Sequence, residues 1–122
     1  MALLSTEKYK DVIVAHFLES SILDDRNVRA LADELTHIVD GVPKVRLLMN
    51  FSAVEYLSSA VLGKLIALQK KVATEGGLLK LCHIRPNILE VFKVTRLDKV
   101  FSIYENQAAA MADFSKMNIF KK

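Results

Sequence analysis

The sequence predicts an α/β domain built on a mainly parallel sheet. Apolar, β-branched runs typical of buried strands alternate with amphipathic segments at helical spacing, and short turns join them. The chain has 122 residues, of which 52% are hydrophobic and 25% charged, so it has the size and composition of one globular domain. We therefore expect a sheet of four to five mainly parallel strands with an antiparallel strand at its N-terminal end, and about four helices.

The first third of the chain predicts a hairpin followed by a helix. Residues 12–18 form an apolar, β-branched run suited to a buried strand, and residues 3–9 are its expected hairpin partner. Apolar residues then recur at helical spacing from Val28 to Val39, which indicates one buried helix face. Asp24 or Asp25 is expected to cap this first helix.

The middle of the chain predicts two interior strands around a second helix. Residues 45–51 are almost continuously apolar, which favours a strand buried on both faces. The second helix is expected from Ser58 to about Glu75, and the pair Gly76 and Gly77 ends it at a point where a left-handed residue is needed. Residues 78–82 then form the next predicted core strand.

The last third completes the alternation of strands and helices. Pro86 suits the first turn of a third helix, residues 100–104 suit a short strand, and Asn106 is the expected cap of a last helix. We expect the domain to span residues 1–115 and the tail, residues 116–122, to be frayed.

Composition argues against several classes of function. The 17 basic and 14 acidic residues give a net charge of +3, and the basic ones are scattered, so we expect no nucleic-acid partner. Apolar runs are far shorter than the roughly 20 residues that cross a membrane, and no basic segment precedes an apolar one at the N-terminus. We expect a cytoplasmic protein with no membrane association and no secretory signal.

Residues able to support catalysis or metal binding are few and badly spaced. Cys82 is the single cysteine, and its neighbour His83 would point to the opposite face of a strand. His16, His37 and His83 show no metal-ligand spacing, and no glycine-rich phosphate loop is present. We therefore expect a protein that is not an enzyme and that needs neither metal nor cofactor.

The one local pattern with a specific chemistry is a serine pair at the start of the second helix. Ser58 is the simpler N-cap, with its hydroxyl bonded to a first-turn amide, and Ser59 would then be freer in the first turn. The helix dipole and free amides there favour an anion, and a phosphate would add about −1.5 to −2 charges. Simple capping is the competing interpretation of the same pair.

Three stretches together resemble the STAS domain, the fold of bacterial anti-sigma factor antagonists. Residues 21–24, Ser-Ile-Leu-Asp, are similar to the family's Gly-Glu-Leu-Asp before the first helix. Residues 47–52 and 57–63 resemble an apolar strand ending in Asp, followed by Asp-Ser-Ser-Gly-Leu-Gly. Residues 76–97 resemble the family's Gly-Gly, strand and helix, so the resemblance covers about residues 10–115.

The resemblance implies a phosphorylation switch. In the family, the second serine of the pair, here Ser59, is phosphorylated by an anti-sigma factor that is also a serine kinase, and phosphorylation ends the binding that releases a sigma factor. Ser58 is the alternative target, a phosphatase is a further conceivable partner, and Asp24 matches an acidic residue near the site. This chain departs from the family at positions Asn50 and Leu57, where the family has Asp, and at Ala60, where it has Gly.

Three hypotheses follow. The first is a serine-switched module that sequesters an anti-sigma factor kinase; its expected partner-binding residues are Asp24, Asn50, Val54, Tyr56, Leu57, Ser58 and Ser59. For Val54, Tyr56 and Leu57, partial burial over the sheet is the open alternative. The second hypothesis, motivated by Leu57 and Asn50, is an unphosphorylated scaffold or sensor subunit of a larger assembly. The third is nucleotide or small-ligand binding.

Overall fold

The computed structural model of the chain describes the backbone of residues 2–120 and the side chains as far as Ser115. In chain order, its elements are β1 Leu4–Tyr9, β2 Val12–Phe17, β3 Ser21–Ile22, α1 Asp25–Val39, β4 Arg46–Asn50, β5 Tyr56–Leu57, α2 Ser59–Thr74, β6 Leu78–Cys82, α3 Pro86–Val94, a 3-10 helix Leu97–Lys99, β7 Ser102–Tyr104 and α4 Gln107–Phe120. The predicted α/β class, with four helices in the described part of the chain, is confirmed.

The main sheet has five strands in the order β1-β2-β4-β6-β7. β1 and β2 form the predicted antiparallel hairpin, with Leu4 opposite Phe17, and every other pairing in this sheet is parallel. The carboxyl ends of β2, β4, β6 and β7 therefore lie along one edge, and the loops that leave this edge carry the serine pair. No helix of the described residues is long and apolar enough to cross a bilayer.

The two faces of the sheet are covered unequally. Helices α1, α2 and α3 pack on one face around the larger core, in which Leu31, Leu47 and Leu65 are fully buried. Helix α4 covers the other face over a small cluster that includes Val14, Leu48 and Phe114. Because the interior strands are apolar on both faces, both coverings are needed to remove them from water.

An ion pair made by a buried lysine helps to fix α4 on its face of the sheet. Lys80 of β6 is 4% exposed, and its Nζ donates to Asp113 Oδ2 at 2.9 Å and to the Tyr104 hydroxyl at 3.1 Å. Burial alone lowers the pKa of Lys80, but the bonds to Asp113 and Tyr104 outweigh it and raise the pKa above its ordinary value. Lys80 therefore keeps its charge. Its ion pair helps to position α4, whose Gln107 accepts a hydrogen bond from Asn50 at the end of β4.

Most predicted boundaries agree with the structure to within two residues. Asp24 caps α1, Gly76 has a positive φ of 78° after α2, and Pro86 opens α3. The short strands β3 and β5 were not expected. Helix α4 continues past the predicted domain boundary at residue 115. The fraying of residues 116–122 stays a prediction, and residues 121 and 122 lie outside the described part of the chain.

Candidate functional site

The short strands β3 and β5 bring the starts of α1 and α2 together. They form a parallel pair in which Ser21 is opposite Tyr56 and Ile22 is opposite Leu57. The amide of Ser58 then donates to the Ile22 carbonyl at 3.1 Å, which extends the pairing to the residue before α2. Each strand leads directly into a helix, so two helix N-termini and their partial positive charges lie side by side.

The start of α1 is closed by its own side chain. Asp24 has the extended backbone of an N-cap, and its Oδ1 accepts a hydrogen bond from the Asn27 amide at 2.8 Å. Asp25 adds a second carboxylate in the first turn. The carboxylate of Asp24 is therefore engaged in holding α1, and it remains exposed at the surface beside the serine pair.

The start of α2 has no such cap, which corrects one expectation. Ser58 occupies the N-cap position with extended backbone angles, but its hydroxyl makes no capping hydrogen bond. The Ser58 Oγ is buried, without a hydrogen-bond partner among the described residues, because the side chain turns into the protein instead of over the first turn. Ser59, the first helical residue, is exposed. Of the two predicted phosphorylation positions, Ser59 is therefore the exposed one, and Ser58 has a buried hydroxyl.

Two of the predicted partner-binding residues are buried and do not offer contact surface. Val54 is fully buried, because its side chain packs into the main core, and Asn50 is 6% exposed. Asn50 instead shapes the loop that follows β4: its Oδ1 accepts from the Ser52 amide at 2.9 Å, and its Nδ2 donates to Gln107 Oε1 at 3.1 Å. Val54 and Asn50 therefore support the loop from beneath and offer little surface for direct contact with a partner.

The outer side of this loop is held by the start of α3. The Arg85 guanidinium donates to the Ser52 carbonyl at 3.2 Å, and the Asn87 amide nitrogen donates to the Glu55 carbonyl at 3.1 Å. Residues at the starts of α3 and α4 therefore hold from both sides the loop that leads from β4 to Ser59.

Exposed apolar side chains flank Ser59 on β5 and directly after β3. Tyr56 is 59% exposed, and a residue that contacts a partner has to be exposed. Leu57, by contrast, is half-buried against the core. Leu23, which follows β3 and lies alongside Ser58, is 57% exposed and was missed. Its signal was present in the sequence: of the adjacent pair Ile22 and Leu23, only one side chain can face the core of an extended segment.

A groove between α1 and α2 begins next to Ser59. It has a volume of about 280 Å³ and is lined by Asp25, Val28, Arg29, Ala60 and Lys64. Its lining combines the apolar Val28 and Ala60 with charged side chains of both signs. Together with Leu23 and Tyr56, this groove gives the exposed serine the surroundings of a protein-docking surface rather than of a catalytic pocket.

The structure offers little for catalysis near this site. Cys82 is fully buried, and desolvation raises its pKa to about 11, so the thiol is an unreactive core residue. Among the described residues, no group of three or more His, Cys, Asp or Glu side chains is arranged to hold a metal ion. The site is defined by an exposed hydroxyl, two helix N-termini and an apolar rim.

This fold and this serine-bearing helix start place the chain in a family of known domains. The family model described as the STAS domain matches residues 4–110, which is most of the chain. The chain therefore belongs to the STAS domain family, as the sequence motifs indicated.

Several relatives are named for regulation of sigma factors. BtrV of Bordetella bronchiseptica, which carries the name of an anti-sigma factor antagonist, is 26% identical over 91% of this chain and 93% of its own length. A STAS protein of Planctomyces limnophilus, titled an anti-sigma-factor antagonist, matches with a TM-score of 0.81 at 23% identity, over 93% of this chain and 98% of that one. The Bacillus cell fate determinant SpoIIAA in its phosphorylated form matches with a TM-score of 0.67 at 18% identity, over 92% and 98%.

Proposed function

We propose that this chain is an anti-sigma factor antagonist that works in the cytoplasm and is switched by phosphorylation of Ser59. The observation that carries the proposal is the exposed Ser59 at an uncapped helix N-terminus, set between the exposed apolar residues Leu23 and Tyr56. The unphosphorylated protein binds an anti-sigma factor through this surface and so releases a sigma factor. The names of its relatives support this class of function.

The proposed partner is also the kinase. A kinase that docks on Leu23, Tyr56 and the groove between α1 and α2 would meet the Ser59 hydroxyl at the centre of its contact surface. The known phosphorylated form of the structurally similar SpoIIAA supports a switch of this kind. The burial of the Ser58 hydroxyl favours Ser59 as the acceptor. A phosphatase would then restore the binding form.

Phosphate would end binding through charge and desolvation. It would bring about −1.5 to −2 charges to a surface that already carries the carboxylates of Asp24 and Asp25. The partial positive charges of the two helix starts would hold the phosphate without unfolding α2. A partner would then have to bury this charge together with Leu23 and Tyr56, which is costly without new cations opposite it.

A second candidate function rests on Asn50 and Leu57, the two positions near the serine pair where the STAS family has Asp. Leu57 is half-buried in β5, and the Asn50 amide is committed to Gln107 and Ser52, so neither position contributes a carboxylate beside Ser59. In this alternative, the same surface binds a partner constitutively, and the chain serves as an unphosphorylated scaffold or sensor subunit.

The deciding experiment maps phosphorylation on the chain purified from its own host, in growth and under stress, by peptide mass spectrometry. Phosphate on Ser59 that changes between the two conditions is the expected result. In parallel, tagged Ser59→Ala is expected to retain an anti-sigma factor, and Ser59→Asp to lose it. Ser5→Asp adds the same charge on exposed β1 and serves as the control that keeps the partner.

Two outcomes would decide against the switch. A Ser59 peptide that is fully covered and unmodified in both conditions, with equal partner retention by Ser59→Ala and Ser59→Asp, would favour the constitutive scaffold. Retention of a partner other than an anti-sigma factor by all variants would remove the antagonist assignment as well.

A further inference from the structure

β7 is the last strand of the main sheet, on the side opposite β1. β7 pairs with β6 on one side, with Ile103 opposite Leu81, and no strand of the described residues pairs with it on the other. A free strand edge presents a row of backbone amides and carbonyls that another extended segment can pair with. This edge is short, and it is bordered by a cleft.

The cleft beside β7 has a volume of about 510 Å³, against about 280 Å³ for the groove next to Ser59. Its volume falls within the roughly 300–1,000 Å³ typical of ligand sites. Its lining residues come from the end of β6, from α3, from the 3-10 helix and from β7 with the residue that follows it: Ile84, Leu89, Asp98, Ile103, Tyr104 and Glu105. The cleft thus follows the last two residues of the edge strand.

The charge of the cleft has one sign. Asp98 and Glu105 are its only charged lining residues, and no Lys or Arg of the described residues lines it. Neither carboxylate has a hydrogen bond or an ion pair within the described part of the chain, although Asp98 is half-buried. A half-buried carboxylate without a partner favours a cation beside it, since desolvated charges are stabilised by pairing.

We propose that this cleft binds an extended segment of a partner protein that carries a Lys or Arg between apolar residues and that adds as a strand to β7. Ile84, Leu89 and Ile103 receive the apolar side chains, and Asp98 and Glu105 receive the cation. The backbone of the segment pairs with the open edge of β7. The free strand edge favours a peptide over a small organic cation, which would leave that edge unused.

The proposed docking cleft and the Ser59 surface share no lining residue, but both adjoin the segment that holds the loop after β4. Ile84 lines the cleft, and the next residue, Arg85, holds the Ser52 carbonyl. A partner with a globular part on the Ser59 surface and an extended basic tail could therefore reach both. The tail would still bind when Ser59 is phosphorylated.

The test uses the full chain and two pools of short synthetic peptides. In one pool, Val, Ile or Leu alternate with Lys or Arg; in the other, they alternate with Asp or Glu. Binding is followed by fluorescence anisotropy at fixed ionic strength, and the site is mapped by ¹⁵N–¹H NMR. We expect saturable binding of the basic pool alone, with shifts centred on the amides of residue 89 and residues 102–105.

Matched variants separate a built site from general charge attraction. Asp98→Asn with Glu105→Gln is expected to weaken binding about tenfold or more, as the loss of a charge-assisted hydrogen bond would. Glu19→Gln with Glu90→Gln removes the same charge from exposed positions outside the cleft and is expected to leave binding unchanged. Ser59→Asp is also expected to bind the peptides as the wild type does.

Four results would overturn the inference. The first is no saturable binding of the basic pool, and the second is equal loss in both double variants. The third is the same set of shifts from lysine amide alone, which would assign the cleft to a small cation. Shifts centred on Leu23, Tyr56 and Ser59 would place the binding on the switch surface and would likewise contradict it.

Discussion

The two helix starts that β3 and β5 bring together differ in capping: α1 has a side-chain cap and α2 has none. At the start of α1, the Asp24 carboxylate bonds the Asn27 amide and closes the helix with its own side chain. At the start of α2, the Ser58 hydroxyl turns inward without a partner and leaves the first turn uncapped beside the exposed Ser59. The comparison teaches that a side-chain cap stabilises the start of α1, whereas the start of α2 keeps its first-turn amides free for an anion such as the phosphate proposed for Ser59.

The largest expected effect comes from separating the two helix starts. Ile22 is fully buried in β3, so Ile22→Ala should reduce the free energy of unfolding by about 3 kcal/mol, as for other large-to-small core substitutions. Leu23→Ala, one residue on and 57% exposed, is the control and should cost less than about 0.5 kcal/mol. Urea denaturation measures both. Equal losses would show that β3 does not anchor the helix starts.

Removal of the cap of α1 should have the next largest effect. Asp24→Ala eliminates the bond to the Asn27 amide and should lower the free energy of unfolding by about 1 kcal/mol. Asp25→Ala, in the first turn but not at the cap, should lose only a few tenths, roughly the value of a single dipole interaction. A loss at Asp25 as large as that at Asp24 would argue against a specific cap.

A negative charge at the open terminus should be tolerated by the fold. Ser59→Asp places a carboxylate at the positive end of α2, where it should raise the stability slightly, by up to about 0.5 kcal/mol, with Asp24 and Asp25 nearby reducing the gain. Ser59→Asn is the neutral control, and thermal unfolding compares the two. A loss of stability in Ser59→Asp alone would mean that its effect on partner binding does not report on the interface.

The smallest effect is expected for the buried hydroxyl of Ser58. An N-cap serine that bonds the first turn contributes about 1 kcal/mol, but this hydroxyl bonds nothing in the described residues, so Ser58→Ala should change the stability by no more than about 0.3 kcal/mol. Chemical denaturation beside Asp24→Ala gives the direct comparison. A loss equal to that of Asp24→Ala would show that Ser58 caps α2 after all.

The fold could be predicted further than the site. Strand β6 is recognisable by its mostly apolar run, and helix α1 by apolar residues at helical spacing. Asp24, Gly76 and Pro86 mark helix ends by local rules of capping and backbone angle. Val54 illustrates where such rules stop: a valine in a loop is equally compatible with core and surface, and only the path of the loop buried it.

Sequence alone determined the α/β class, the order of the longer elements, the family resemblance carried by the motifs around the serine pair, and the choice of that pair as the candidate site. Only the tertiary structure decided which serine is accessible, because the inward turn of the Ser58 side chain depends on pairing between residues more than thirty positions apart. The same pairing of β3 with β5 set the two helix starts together and exposed Leu23. Strands of two residues carry too little periodicity to be recognised, and they form only when the rest of the fold holds both segments in place.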